Sequence, residues 1–192
     1  MNMSYKVPVG LSNKHIHLTQ EHLDVLFGAG SELHPEKWLK QPGQYGAFEK
    51  VEVVGPKGTL KNVRILGPLR KASQLEISLT DARQIGIKAP IRESGDIEGT
   101  PGVKIVGPAG ELQLEKGVIV ASRHIHLSTA EAAEAGVADK EIVKVYCPGE
   151  RALVFENVLC RVSDAFVSEM HVDLDEGNAA QLENGQLLEI IK

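Results

Sequence analysis

The sequence predicts a mainly β protein made by internal duplication: two small β-barrels, each capped by short helices. Three observations carry that expectation. The tripeptide His-Ile-His occurs twice, in "SNKHIHL" (Ser12–Leu18) and "ASRHIHL" (Ala121–Leu127), and these copies hold four of the seven histidines. A second pair of segments, "NVRILGPLRKASQLEISLTDA" from Asn62 and "NVLCRVSDAFVSEMHVDLDEG" from Asn157, aligns without gaps and sets Glu76 on His171. The remaining text is a series of short runs rich in Val, Ile and Leu, separated by turns containing Gly and Pro, as in small barrels or sandwiches.

The elements follow in order. Each His-Ile-His should end a strand just before a short helix. Thr19 and Ser128 are good N-caps, Glu131 completes a capping box with Ser128, and Gly28 and Gly136 are plausible stops. An insertion from about Gly28 to Glu49 is present in the first half only. Its lone Trp38 and "QPGQYG" read as a loop that packs on the other domain or on another subunit. "KVEVVG" and "VRILG" are strands that lead to Glu76, and Thr80 should cap a further helix. "RESGDIEGTPG" (Arg92–Gly102) reads as a linker, or as a loop whose glycines let backbone approach a ligand closely. "GVKIVG" and "GELQLEKGVIVAS" are strands leading into the second His-Ile-His. "EIVKVY", "ALVFENVLCRV" and "QLLEIIK" are the strands of the second half, where Asp175 should cap the helix after His171. Aromatic residues make up only 4% of the chain, so its cores must rest on Val, Ile and Leu.

Bulk properties remove several function classes. A net charge of −5 without clustered Lys and Arg disfavours nucleic acid. No run of 18 apolar residues exists to span a membrane. The N-terminus lacks the layout of a signal peptide. Cys147 and Cys160 do not make a disulfide framework and fit a reducing cytoplasm; both read as core or surface residues without catalytic role. His22 and His34 read as surface residues.

The paired histidines carry chemistry. Residues i and i+2 of a strand share a face, so His15 and His17 point one way and Ile16 points into a core. The same holds for His124, His126 and Ile125. Two such imidazoles can reach one metal ion at about 2.0–2.1 Å each, with Glu76 or His171 as third ligand from another strand. Three protein ligands and one open position is the layout of a catalytic site, and an imidazole-rich set suits Zn, Cu, Fe or Ni. A cupin-like metal-binding barrel is an alternative, since Glu21 follows His17 by four residues, but no carboxylate stands at that offset after His126.

In "SNKHIHL", "QPGQYG", "GPLRKASQLEIS", "RESGDIEGTPG", "SRHIHLS" and "EMHVDLDEGNA" the chain resembles the PduL family of phosphotransacylases. The resemblance runs from about Pro8 to Ile191. It implies two β-barrels and a dinuclear metal site, usually zinc, that transfers a short acyl group (acetyl or propanoyl) between coenzyme A and phosphate. It implies metal ligands His15, His17 and Glu76 for one ion and His124, His126 and His171 for the other. Arg70 matches the family's active-site arginine, with Ala165 at the corresponding place in the second repeat. Ser94 is the expected contact to coenzyme A. A swapped arrangement is also implied: residues 1–13 join 122–192 in one barrel, and 14–121 form the other with the inserted loop, whereas the linear repeat alone would cut near Gly110. The all-histidine ion, with no negative ligand, is the expected home of phosphate together with Arg70, and the Glu76 ion that of the CoA sulfur. Partners are acyl-CoA, CoA and phosphate, in a homo-oligomer. Family members inside bacterial microcompartments carry an extra N-terminal amphipathic segment; none is seen here, so a cytoplasmic enzyme is expected. A metal-dependent thioesterase, with water in place of phosphate, and a metal-binding module without turnover stay open as alternatives.

Overall fold

A computed structural model describes residues 5–191. Strand makes up 43% and helix 16%. In chain order the elements are β1 (Lys6–Ser12), β2 (His15–His17), α1 (Gln20–Phe27), β3 (Pro35–Trp38), β4 (Tyr45–Val54), β5 (Thr59–Gly67), β6 (Gln74–Glu76), α2 (Leu79–Ile85), β7 (Ile91–Arg92), β8 (Val103–Val106) and β9 (Glu111–Leu114). There follow β10 (Val118–Ala121), β11 (His124–Leu127), α3 (Thr129–Ala135), β12 (Ile142–Cys147), β13 (Leu153–Val162), β14 (Glu169–Asp173), α4 (Leu174–Ala180) and β15 (Leu187–Ile191). None of the helices is long and apolar enough to cross a membrane, among the described residues.

The chain divides into two compact units. Unit 1 takes the stretch ending at Ser12, Lys40–Pro42, and everything from Ser122 on; unit 2 takes Asn13–Leu39 and Gly43–Ala121. In unit 1 six strands close into a barrel in the order β1-β14-β11-β13-β12-β15. In unit 2 the order is β7-β10-β6-β2-β5-β4-β8-β9, with β3 paired to β4. The local plan is the same in both. The His-Ile-His strand runs parallel to one neighbour (β2 to β5, β11 to β13) and antiparallel to the strand bearing the third candidate ligand (β2 to β6, β11 to β14). That last strand gains a parallel partner from the segment preceding the opposite His-Ile-His: β10 on β6, β1 on β14. The chain thus passes from unit 1 to unit 2 between β1 and β2, and back between β10 and β11.

The duplication also shows in the backbone. Asn62 and Asn157 both take positive φ, 55° and 56°. Each sits where pairing with the preceding strand shifts register. Asn enters this left-handed region more readily than other side chains, so the same residue makes the same bulge in both halves.

Each unit has its own aliphatic core. Ile16 lies in that of unit 2 with Leu18, Val63, Ile65 and Leu75; Ile125 lies in that of unit 1 with Val7, Val9, Val145 and Met170. Both isoleucines are fully buried, each contributing about 1.5–3 kcal/mol of apolar burial and turning the histidines beside them to the opposite face. Thr19 caps α1, and Ser128 with Glu131 forms the capping box of α3. The other two caps lie two residues earlier than the sequence suggests. Ser78, not Thr80, caps α2, and Asp173, not Asp175, caps α4 with Glu176 closing its box. The chain turns into each helix directly after the ligand-bearing strand, which leaves Thr80 and Asp175 inside the first turn.

The insertion is divided. β3 is exposed along its length, with Trp38 edge-on to Tyr45 at 5.3 Å between ring centroids. Lys40–Pro42 belongs to unit 1, where Gln41 is buried.

Candidate metal centres and active site

In unit 2 the pairing of β2 with β6 sets His15 opposite Glu76 and His17 opposite Gln74. All four side chains occupy one face and are buried. Nδ1 of His15 lies 2.8 Å from the Asn13 carbonyl. Since a carbonyl only accepts, this nitrogen carries the proton and Nε2 keeps its lone pair. That Nε2 lies 3.5 Å from Glu76 Oε2, and Nε2 of His17 lies 3.8 Å from Oε1. Two donors hold the carboxylate: Gln74 Nε2 at 2.6 Å and Ser94 Oγ at 2.8 Å. Gln74 is itself fixed, because its Oε1 accepts from the Gly95 amide at 2.7 Å. Arg70 donates to Ser94 Oγ at 3.2 Å. Arg70, Ser94 and Glu76 therefore form one chain, and the Arg92–Gly102 segment is a wall of the site, not a plain linker.

The three groups of this cluster are coupled electrostatically. Burial alone would raise the Glu76 carboxyl, but His15, His17 and the Ser94 hydroxyl outweigh it and hold Glu76 well below the usual range. Burial, with the charges of His15 and Arg70, pushes His17 down to about 3. Burial would also lower His15, but Glu76 holds it up. The result is a carboxylate facing one ring with a fixed tautomer and one neutral ring.

Unit 1 repeats the arrangement. His124 lies opposite His171 and His126 opposite Glu169. Nδ1 of His124 donates to the Ser122 carbonyl at 2.8 Å, as His15 does to Asn13. The three imidazole centroids lie 4.7–5.1 Å apart. Burial, with the charges of His124, His171 and Arg161, pushes His126 down to about 2. Phe166 lies 4.4 Å from the His126 ring. Ala165, at the place of Arg70, is exposed.

Metal ions fit both sets. The ligand atoms of His15, His17 and Glu76, and those of His124, His126 and His171, lie within 4.8 Å of one another in each group. Nδ1 of His17 and Nδ1 of His126 are buried without a hydrogen bond of ordinary geometry, the Leu66 carbonyl being a minor influence on His17. Glu21 stays outside, exposed in the first turn of α1, which removes the cupin-like ligand set.

Comparison with known proteins identifies the family. The family model for phosphate propanoyltransferase matches residues 8–183. The chain belongs to the phosphate propanoyltransferase family. It is an acyltransferase. A phosphate propanoyltransferase of Thermotoga maritima is 56% identical over 96% of this chain and 88% of its own. Those of Clostridioides difficile (49% identical; 97% and 89% covered) and Salmonella typhimurium (52%; 93% and 85%) are similarly close.

Arg70 is bonded through Ser94 to the Glu76 cluster of unit 2. The all-histidine set has a carboxylate beside it that a count of candidate ligands passes over: Glu169 Oε2 lies 2.7 Å from His171 Nε2, and its carboxyl, which burial would raise, is held down by His171 and by Lys40. His34 is exposed and bonded to Glu49, but His22 is half-buried against Ser73 Oγ at 2.7 Å. Three residues of the sites went unremarked in the sequence: Gln74, Glu169 and Gln41. The first two had a signal, standing two residues before the third ligand and so on its face of the strand. Gln41 had none, since its partner Val167 is 126 residues away.

Proposed function

We propose that the protein transfers a short acyl group, acetyl or propanoyl, between coenzyme A and inorganic phosphate. It would use two divalent ions, zinc by the chemistry of the donors: one on His15, His17 and Glu76, one on His124, His126 and His171. The observation that carries this reading is the pair of matched, buried ligand sets, one of them joined through Ser94 to a guanidinium. Such ions would supply Lewis acidity toward phosphate or carbonyl oxygen and toward a leaving thiolate. Arg70 offers a planar fork to two phosphate oxygens, and the Ser94 hydroxyl holds that fork in place. A phosphate oxygen attacks the thioester carbonyl carbon, the C–S bond breaks, and CoA leaves as thiolate while the acyl group stays on phosphate. Holding both reactants in line contributes about 7–11 kcal/mol. An acyl-enzyme on a cysteine has no support: burial pushes the Cys147 thiol up to about 11, and Cys160 is fully buried.

The test is thiol release from acetyl-CoA and propanoyl-CoA, with and without phosphate. Release that needs phosphate and yields acyl phosphate is expected. Release without phosphate would make the protein a thioesterase, and bound metal without any release would make it a binding module.

A further inference from the structure

Glu169 and Gln41 are not among the candidate ligands, yet both are tied to one of them. Glu169 precedes His171 by two residues on β14, and its Oε2 lies 2.7 Å from His171 Nε2. A carboxylate accepts, so Nε2 carries the proton and Nδ1 is left with the lone pair. Gln41 comes from the insertion. Its amide donates to the Val167 carbonyl at 2.8 Å, accepts from the Val167 N–H at 3.3 Å, and lies against the Glu169 carboxylate. On the other side stands β1, where Gly10 pairs with His171. A Cβ on Gly10 would come within 3.1 Å of the Glu169 carboxylate and 3.3 Å of the His171 ring. The pair therefore sits in a slot with backbone on one side and a buried amide on the other.

Unit 2 fills the equivalent position with the opposite polarity. There the third ligand is the Glu76 carboxylate, and its neighbour two residues earlier is Gln74, an amide that donates to it at 2.6 Å. A carboxylate ligand has a donor beside it, and an imidazole ligand has an acceptor. A mere surface ion pair would not follow the identity of the ligand in this way.

We propose that Glu169 is a positioning residue for metal binding in unit 1: it fixes the tautomer and ring angle of His171 so that Nδ1 faces the ion, and Gln41 holds Glu169 in place. The function of the buried part of the insertion is then to build the metal site of unit 1. This inference rests on the two-ion reading given above.

The test measures zinc bound per chain by elemental analysis after dialysis against graded chelator, with circular dichroism to show folding. Wild-type protein should hold two equivalents. Glu169→Ala should release one of them at about 10–100-fold lower chelator and keep the other unchanged, so the second ion serves as an internal control. Glu169→Gln, which keeps an acceptor without the charge, should recover part of the loss, and Gln41→Leu should show a smaller loss at the same ion. Cobalt in place of zinc should give the same visible bands in Glu169→Gln as in wild type. A shift in those bands would make Glu169 a ligand itself and overturn the positioning role. Two equivalents held equally tightly by wild type and Glu169→Ala would overturn this inference alone. A wild-type protein that takes up no zinc would overturn the two-ion reading, and this inference with it.

Discussion

The two histidine clusters share a backbone plan and differ in chemistry. In each, a cross-strand pair of dipeptide-spaced residues makes a four-membered face: His15, His17, Gln74 and Glu76 in unit 2, and His124, His126, Glu169 and His171 in unit 1. The first histidine of each donates Nδ1–H to a carbonyl two residues back at 2.8 Å. The second has a buried Nδ1 without a partner. What differs is the other strand, where amide and carboxylate are replaced by carboxylate and imidazole. The candidate ligand and its neighbour on the strand differ together, which keeps the hydrogen bond between them matched donor to acceptor. Beyond that face the units diverge. Unit 2 adds Ser94 and Arg70, while unit 1 places Phe166 against His126 and leaves exposed Ala165 at the place of Arg70. The comparison teaches that the shared face is suited to holding an ion, while the two surroundings differ in charge and polarity.

The most severe break of this comparison is the loss of a histidine with an unpartnered nitrogen. His17→Ala should remove one ion and His126→Ala the other, each leaving one equivalent by elemental analysis. Loss of a Lewis acid forfeits several kcal/mol, so activity should fall about 10³-fold or more in either case. If either variant keeps both ions, the ligand set containing that residue is misassigned.

Arg70 tests the divergent part. Arg70→Ala should retain both ions and lose about 10²–10³-fold in kcat, the usual cost of removing one donor aimed at developing charge. Arg70→Lys keeps the charge but not the fork and should recover only part. Near wild-type activity of Arg70→Ala at low phosphate would remove the phosphate role.

Much of this is legible in the sequence. The duplicated His-Ile-His and the gapless alignment of Asn62 with Asn157 locate both clusters, because a strand puts alternate residues on one face whatever surrounds it. That same alignment placed the helix caps at Thr80 and Asp175. Polar residues crowd there (Ser78, Thr80, Asp81; Asp173, Asp175, Glu176), and only the point where the strand ends decides which one caps. The charge around the all-histidine cluster is hidden in the sequence for a related reason. Counting ligands alone passes over the carboxylate of Glu169, whose effect depends on a 2.7 Å contact. Gln41 was beyond reach, since a contact across 126 residues leaves no local pattern.

A double exchange sharpens the comparison at smaller cost. Glu76→His alone puts an imidazole beside Gln74, whose amide is held as a donor because its oxygen is occupied by Gly95. The new ring then lacks an acceptor, and zinc affinity at that cluster should fall about 10–100-fold, the usual effect of a lost orienting partner. Gln74→Glu with Glu76→His supplies the acceptor and should restore most of it. Chelator competition measures both. If the double variant binds no better than the single one, the paired replacement of ligand and orienting group is coincidental.

The smallest expected effect separates the units by their thiols. Cys147 and Cys160 both lie buried in unit 1, and unit 2 has no cysteine. Burial pushes the Cys147 thiol up to about 11, against roughly 8.5 for a free thiol. Below that free value the group is neutral in folded and unfolded chains alike and contributes nothing to pH dependence. Above it the unfolded chain releases a proton that the folded chain keeps, so stability falls as pH rises, by about 1–2 kcal/mol at pH 10. Tyr5, also in unit 1 and raised mainly by burial, acts in the same direction, so the Cys147 share must be found by subtraction. Cys147→Ala should be less stable than wild type near neutrality, by about 1 kcal/mol for the small cavity, yet should decline less between pH 8.5 and pH 10. The urea midpoint for exposure of Cys160, which both proteins retain, reads the opening of unit 1 in each. Parallel declines in the two proteins would show that the Cys147 thiol is not held protonated by its burial.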